Sequence, residues 1–288
     1  MIKENFSRND VDILYNNPII KQPVLGKECK TRNIIFKEIT EQDELIEMFA
    51  LRSLVYQYVD FFTENVDDLS NDFSLDIDPY DMFSTFLGAF EISKNSKRLI
   101  GTLRIISPEN RSEASSFIED LYISSQGSES NGILKRDKIF PHQETFDVPQ
   151  SFYSEFCNNN GNANKNNHIY DDNLYEISRL AVLPQFWKTK HGVEHGLHIM
   201  IALNAWQTKP QKNYYMIAVH PRMKRVYERI GFKPVPDLTE RIYKKLNQPA
   251  ILLSLDLNSY LNNPNPYLEI CQSKFDSYLK LGYFKRGK

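Results

Sequence analysis

Arg52, the run Asp78-Pro79-Tyr80-Asp81, Arg104 and the run Glu176-Ile177-Ser178-Arg179 are the residues of this chain best suited to chemistry. Most of these charges lie inside or at the end of a segment that is otherwise apolar. A charge buried in such a segment is costly unless it is paired. Two readings follow. In one, Arg52, Arg104, Glu176 and Arg179 are buried ion pairs that hold a sheet together. In the other, Glu176 is a proton acceptor: desolvation favours a carboxylate's neutral form, so such a group can take a proton from an amine nucleophile. Strand alternation places Glu176 and Ser178 on one face, with Ile177 and Arg179 on the other.

Positioning these residues takes a sheet with helices. Residues 33–39 are rich in β-branched and aromatic side chains and read as a strand. Thr40 then supplies a helix N-cap, with Asp43 in the first turn. Leu45, Met48, Phe49, Arg52, Val55 and Tyr56 recur at helical spacing, which predicts a helix over 41–59. Residues 83–92 and 99–106 read as a hairpin around a turn at 95–98. Residues 107–172 read as an insertion, with a loop near Pro141-His142 and an Asn-rich tract at 158–167 that lacks core-forming residues. A strand over 174–183 is ended by Pro184. A helix over 193–206, a strand over 213–219 and a helix over 221–230 follow, the last opened by Pro221 and closed by Gly231. A short strand over 232–235 and a last strand over 251–257 complete the sheet, and a helix is expected over 266–281.

The fold class expected is therefore α/β, a mixed central sheet with helices on its faces. Its organisation would be an arm (1–30), a single domain (31–257) carrying the insertion 107–172, and a C-terminal helical extension (258–288). Composition narrows the function. Lys and Arg number 35 against 37 Asp and Glu, a net charge of −2 that gives no field for nucleic acid. Three dispersed cysteines make neither a disulfide framework nor a zinc site, which fits a reducing cytoplasm. The N-terminus lacks the apolar run of a secretory signal, and the longest apolar run, around Ala250 to Leu255, is far too short for a transmembrane helix.

Several motifs occur together and in order. They are Arg52 with Tyr56, Asp78-x-x-Asp81, Gly101-x-x-Arg104, and Glu176-x-Ser178-Arg179 followed by Leu180-Ala181-Val182. This series resembles the acyl-homoserine lactone synthases, and still more the N-acyl amino acid synthases of the FeeM type. Val219-His220-Pro221 and Tyr227-Glu-Arg-x-Gly231-Phe232 also resemble the second group. The resemblance implies a GNAT-like acyltransferase fold, with a V-shaped gap between two parallel strands, here 174–182 and 213–219. It implies that an acyl chain arrives as a phosphopantetheine thioester on acyl carrier protein and passes to the amine of an amino acid or similar small molecule. No tightly bound cofactor and no metal are expected. Backbone groups left unpaired in the gap would bind the pantetheine amides and the tetrahedral oxyanion.

On that resemblance, Glu176 is the candidate general base, with Arg179 and Arg104 fixing it or binding the acceptor carboxylate through their planar forks. Arg52, Tyr56, Asp78 and Asp81 belong to the acceptor side, the two aspartates ordering the loop above it. Leu180, Ala181, Val182, Lys190 and Gly192 belong to the donor side. The chain also departs from these families. Lactone synthases carry a tryptophan ten residues after the arginine, where this chain has Phe62, and this puts an S-adenosylmethionine acceptor in doubt. The segment from Trp187 to Gly196 matches the glycine loop of coenzyme A enzymes only at Gly192, with Gly196 misplaced, which favours carrier protein as donor. The alternatives are an acyl-homoserine lactone synthase, or a catalytically silent acyl-binding or sensor protein on the same fold.

Other patterns have two readings each. His191-Gly-Val-Glu194-His195, extended by His198, fits the His-x-x-Glu-His of zinc peptidases, but equally a polar helix entry with partly buried histidines. Lys188, Lys190, Arg222, Lys224 and Arg225 would steer an acidic carrier protein, or merely cover a solvated face. Lys135, Arg136 and Lys138 form a further basic cluster. The aromatic segments 83–90 and 146–156 would line an acyl tunnel or form plain core, and Tyr58, Phe61 and Phe62 would help close the amine pocket.

Overall fold

The computed structural model describes residues 33–59, 75–94, 96–107, 111–126, 138–148, 174–187, 192–207, 214–243, 248–256 and 280–285. The expected arm, the Asn-rich tract, Phe61, Phe62, Lys135, Arg136, Lys188, Lys190, His191, residues 149–156 and nearly all of the expected helix 266–281 lie outside them.

β1 (Asn33–Glu38) leads into α1 (Gln42–Tyr58). The helix N-cap is Glu41 and no side chain caps it, so the N-cap expected at Thr40 is displaced by one residue. A 3-10 turn (Pro79–Phe83) precedes the hairpin of β2 (Ser84–Ile92) and β3 (Lys97–Ile106). Within the insertion lie α2 (Ser115–Gln126) and a single turn, α3 (His142–Thr145). β4 (Leu174–Val182), α4 (Val193–Gln207) and β5 (Tyr214–Val219) follow. The predicted helix over 221–230 divides into a 3-10 turn (Pro221–Met223) and α5 (Lys224–Ile230), which ends at Gly231 with φ 117°, a left-handed cap that suits glycine. The remaining strands are β6 (Lys233–Pro234), β7 (Arg241–Tyr243), β8 (Gln248–Asp256) and β9 (Tyr283–Lys285).

The sheet runs β6-β8-β5-β4-β3-β2-β1-β9, with β7 also paired to β8. β4 and β5 are parallel, and the other described pairings are antiparallel. The parallel pair holds only from Leu174–Tyr214 to Ile177–Ile217. Beyond that point β4 stays with β3 as far as Val182, and β5 stays with β8 as far as Val219. The two strands therefore diverge, each held by its outer neighbour. This is the mixed sheet with a V-shaped gap that the GNAT-like resemblance implies.

Two apolar layers cover the sheet. α4 packs Val193, Leu197, Met200 and Leu203 against Phe36, Leu87, Ala89 and Ile100. On the other face α1 packs Leu45, Phe49 and Val55 with Phe86, Phe90 and Leu99, joined by Ile118 and Leu121 of α2. β9 covers the open edge of β1, and Phe284 stacks on Phe36 with ring centroids 4.8 Å apart. The end of the C-terminal extension is thus a strand of the sheet, not a continuation of a helix.

The β3–β4 register is interrupted. Thr102 faces Ala181 and Arg104 faces Ser178, so two residues, Arg179 and Leu180, stand opposite Leu103. Arg179 has φ 54°, unusual for a residue with a side chain. This bulge decides the geometry of the site.

Candidate active site

The 3-10 turn at Pro79–Phe83 is fixed by its own aspartates. Asp78 accepts from Tyr80 N at 2.9 Å, and Asp81 accepts from Asp78 N at 2.8 Å, a reciprocal capping box. Both carboxylates then face arginines from three different elements. Arg52 of α1 donates to Asp76 (2.8 Å) and to Asp81 (2.7 and 3.3 Å). Arg104 of β3 donates to Asp78 (2.6 Å), Asp81 (2.8 Å) and Ser178 Oγ (2.9 Å). Arg179 of β4 reaches Asp78 at 3.0 Å and Asp76 at 3.2 Å. Three buried arginines thus meet three aspartates, and their charges cancel.

Burial alone would raise the Asp78 carboxyl. The Arg104, Arg179 and Arg52 guanidiniums outweigh it and hold Asp78 well below the usual carboxylate range. Asp76 is held down against burial in the same way by Arg179 and Arg52. Tyr56, whose ring lies 5.5 Å from the Arg179 guanidinium, is pushed up to about 12 by burial.

Simple alternation placed Arg179 on the face opposite Glu176 and Ser178. The positive φ at Arg179 breaks the alternation and turns its side chain onto the α1 face, into the cluster with Arg104. The ion-pair reading of the sequence therefore holds for Arg52, Arg104 and Arg179. Glu176 is not part of that arginine–aspartate network.

Glu176 is 1% exposed and stands apart from that network. Among the described residues neither Arg104 nor Arg179 hydrogen-bonds it, so they do not fix it as expected. Its partner is His142, from the turn in the insertion. Glu176 Oε2 accepts from the His142 backbone N–H at 3.1 Å and lies 2.6 Å from His142 Nδ1. A carboxylate only accepts, which assigns the imidazole proton of this contact to Nδ1. Among the described residues no hydrogen bond engages Glu176 Oε1.

A cavity of about 390 Å³ occupies the gap between β4 and β5. Glu176, Ser178, Arg179, Leu180 and Val182 line one side, and Ile217, Ala218 and Val219 the other. Val55, Tyr56 and Val59 close it from α1, Met223 and Tyr227 from the α5 end, and Tyr243 with Gln248–Ala250 from the far side. Leu103, Arg104, Glu194, His220 and Trp187 complete the wall. The Trp187 indole donates to the Val182 carbonyl at 2.5 Å and meets the Tyr58 ring edge-on at 5.7 Å, so Tyr58 buttresses the mouth without lining it. His220 Nδ1 accepts from Arg222 N and caps the turn that follows β5.

Of the candidate site residues, Tyr56, Arg104, Glu176, Arg179, Leu180 and Val182 reach this cavity, as do Ser178, Glu194, Val219, His220 and Tyr227 of the quoted motifs. Arg52, Asp78 and Asp81 do not line it; they lie behind Arg104 and Arg179 and hold them. Ala181 turns into the α1-side core, and Gly192, with φ 63°, starts α4 away from the wall. Lys190 lies outside the described residues. Gly196 has a packing role: a Cβ there would come 2.0 Å from the Phe36 ring. Sequence reasoning missed Asp76, named His142 only as part of a loop, and read Glu194 only within the His-x-x-Glu-His pattern. For Asp76 and His142 the signal was only a titratable residue in a stretch without clear periodicity. His195 and His198 lie on α4, and among the described residues no cluster of three His, Cys, Asp or Glu suits a metal.

The segment carrying Glu176, Arg179 and both walls of the gap is also the segment that comparison singles out. Residues 158–256 match the family model of the N-acyl amino acid synthase FeeM. FeeM-like acyl transfer is the chemistry this match supports. Among solved structures the chain is similar to FeeM, an N-acyl amino acid synthase from uncultured soil microbes, at 14% identity, with 83% of this chain and 99% of that chain covered and a TM-score of 0.48. It is similar to the AHL synthase LasI at 14% identity (80% and 92% covered, TM-score 0.42). It is similar to the coenzyme A-dependent acyl-homoserine lactone synthase BjaI at 13% identity (83% and 88% covered, TM-score 0.46). No curated protein matches the chain. Among the described residues no helix is long and apolar enough to cross a membrane.

Proposed function

We propose that the protein transfers a long acyl chain from a carrier-protein thioester to the amine of an amino acid, with Glu176 as general base. The observation that carries this reading is the state of Glu176. It is a buried carboxylate on the cavity wall, with one oxygen tethered and the other without a hydrogen bond among the described residues, and it stands outside an ion-pair network whose own charges cancel. A merely structural carboxylate would be expected inside that network.

The amine nitrogen attacks the thioester carbonyl carbon, and Glu176 Oε1 takes the proton that the nitrogen sheds. The tetrahedral intermediate collapses, the C–S bond breaks, and the leaving thiolate gains a proton. One proton leaves nitrogen and one reaches sulfur, so the reaction is balanced. Backbone groups on the edge of β4 beyond Ile177 that no longer pair with β5 suit the pantetheine arm, which acts as co-substrate; no other cofactor is invoked. The apolar walls at Val55, Leu103, Leu180 and Ile217 suit an acyl chain. Arg179 Nε is buried at the cavity and has no hydrogen-bond partner among the described residues, which suits an acceptor carboxylate. Two features favour carrier protein as donor. Arg222 and Arg225 are exposed beside the mouth, and the Glu194 carboxylate on the wall opposes a pyrophosphate at the start of α4.

Expression in a bacterial host, with lipid extracts profiled by mass spectrometry beside a Glu176→Gln control, tests this. New N-acyl amino acids that fall about 100-fold or more in the control are expected, the range that general base catalysis contributes. Full product from Glu176→Gln would overturn the base assignment. Acyl lactones in place of amides would overturn the amino acid acceptor. A copurifying fatty thioester without turnover would point to a silent binder.

A further inference from the structure

Glu176 is useful as a base only if one oxygen faces the amine, and a carboxylate on a flexible stem does not hold such an orientation unaided. We infer that His142 is the positioning residue of Glu176: its Nδ1–H and its backbone N–H clamp Oε2 and leave Oε1 for the amine. The inference rests on the reading of Glu176 as base.

Both donors come from one residue and converge on one oxygen, at 2.6 and 3.1 Å. His142 is fully buried and absent from the cavity wall, so it acts through Glu176 and does not touch the substrate. The turn that carries it is itself held. Phe140 stacks on the imidazole with centroids 5.5 Å apart, and Phe140 N donates to Gln143 Oε1 at 3.0 Å. Tyr80 Oη donates to Glu144 at 2.5 Å, tying the turn to the loop that carries Asp78 and Asp81. One segment of the insertion thus links the arginine-binding loop to the proposed base. This assigns a function to part of a region that otherwise reads as an excursion from the domain.

The test measures thiol release from a palmitoyl–carrier-protein thioester with mixed amino acids, for wild type, His142→Leu, His142→Asn and Glu176→Gln. Asn can place an amide N–H where Nδ1–H stood; Leu cannot. With folding checked by thermal melts, His142→Leu should lower kcat by about 10- to 100-fold, a part of the general-base contribution. KM for the thioester should stay within about threefold, because the donor site is untouched. His142→Asn should recover most of kcat. A folded His142→Leu with unchanged kcat overturns the inference, as does a His142→Asn no better than His142→Leu. If His142→Leu does not fold, proton NMR decides. A low-field imidazole N–H resonance present in wild type and lost or moved upfield in Glu176→Gln supports the clamp; its persistence unchanged overturns it. Glu176→Gln also separates the two ideas. If that variant is fully active the base reading fails, whereas if it is dead and His142→Leu is not, only the positioning role fails.

Discussion

Asp76 shows how much of the site depends on single charges. It bridges Arg52 and Arg179, and it shares this work with Asp78 and Asp81 in a cluster with no surplus of either sign. Removing one carboxylate leaves two buried guanidiniums short of a partner. Breaking a buried pair in this way costs about 3–5 kcal/mol, more than the intact pair contributes over an apolar substitute. Asp76→Asn should therefore lower the unfolding free energy by about 3 kcal/mol in urea titrations at neutral pH. A loss below about 1 kcal/mol would mean that the remaining aspartates suffice. The residues of this cluster were only partly legible in the sequence. Arg52, Asp78, Asp81, Arg104 and Arg179 stood out because charges in apolar or motif-like surroundings need explaining. Asp76 is one of several acidic residues in the sequence 63–81, so one more aspartate there carries no signal. The face of Arg179 was misread because alternation assumes an unbroken strand, and a positive φ at a residue with a side chain leaves no mark in composition. His142 was noticed only as part of a loop, since its partner lies 34 residues away in the chain.

At the scale of elements, the sheet and its two covering helices were legible because their periodicities are strong. α1 buries Leu45, Met48, Phe49, Arg52, Val55 and Tyr56, the residues whose spacing predicts it. α2 was missed although Phe117, Ile118, Leu121 and Tyr122 recur at helical spacing, because serines and acidic residues surround them in a region read as an insertion. β7 and β9 have three residues each, too few to show a period, and the sheet supplies the partners that make them strands. Gly196 is the instructive case. In the sequence it reads as a displaced glycine of a phosphate loop, but it lies within α4, where the missing side chain lets the helix approach Phe36. An added Cβ would overlap that ring, so Phe36 or α4 must move, and overpacking of this kind costs about 1–3 kcal/mol. Gly196→Ala should lower the melting temperature even though alanine is the better helix former. Phe36→Leu in the same chain should restore part of the loss. An unchanged or raised melting temperature for Gly196→Ala would show that α4 does not need this close approach.

Two windows in the molecule's response to acid follow from buried groups that are shifted for different reasons. His198 lies on α4 against the edge of Tyr227, with ring centroids 5.3 Å apart, and Nε2 has no partner among the described residues. Burial, with a smaller push from His195, brings it down to about 4. The unfolded chain takes up this proton near pH 6.5, while the folded chain resists it until about 4. Between those values the unfolded state binds more protons, so stability falls as the pH falls. The group should account for about 2 kcal/mol of lost stability between about pH 7 and pH 5. Asp76 and Asp78 act lower. Their folded carboxyls are depressed, so what they contribute is present above about pH 3.9 and is lost only as the pH drops below that value. Denaturant titrations at about pH 7, 5 and 3, for wild type and His198→Phe, separate these effects. The phenylalanine variant should lose the stability difference of about 2 kcal/mol while keeping the acid transition of the aspartates. An unaltered slope between pH 7 and 5 would mean that His198 is not held neutral by its place between α4 and Tyr227, a cavity-wall residue, and that the α4–α5 packing is looser than the structure shows.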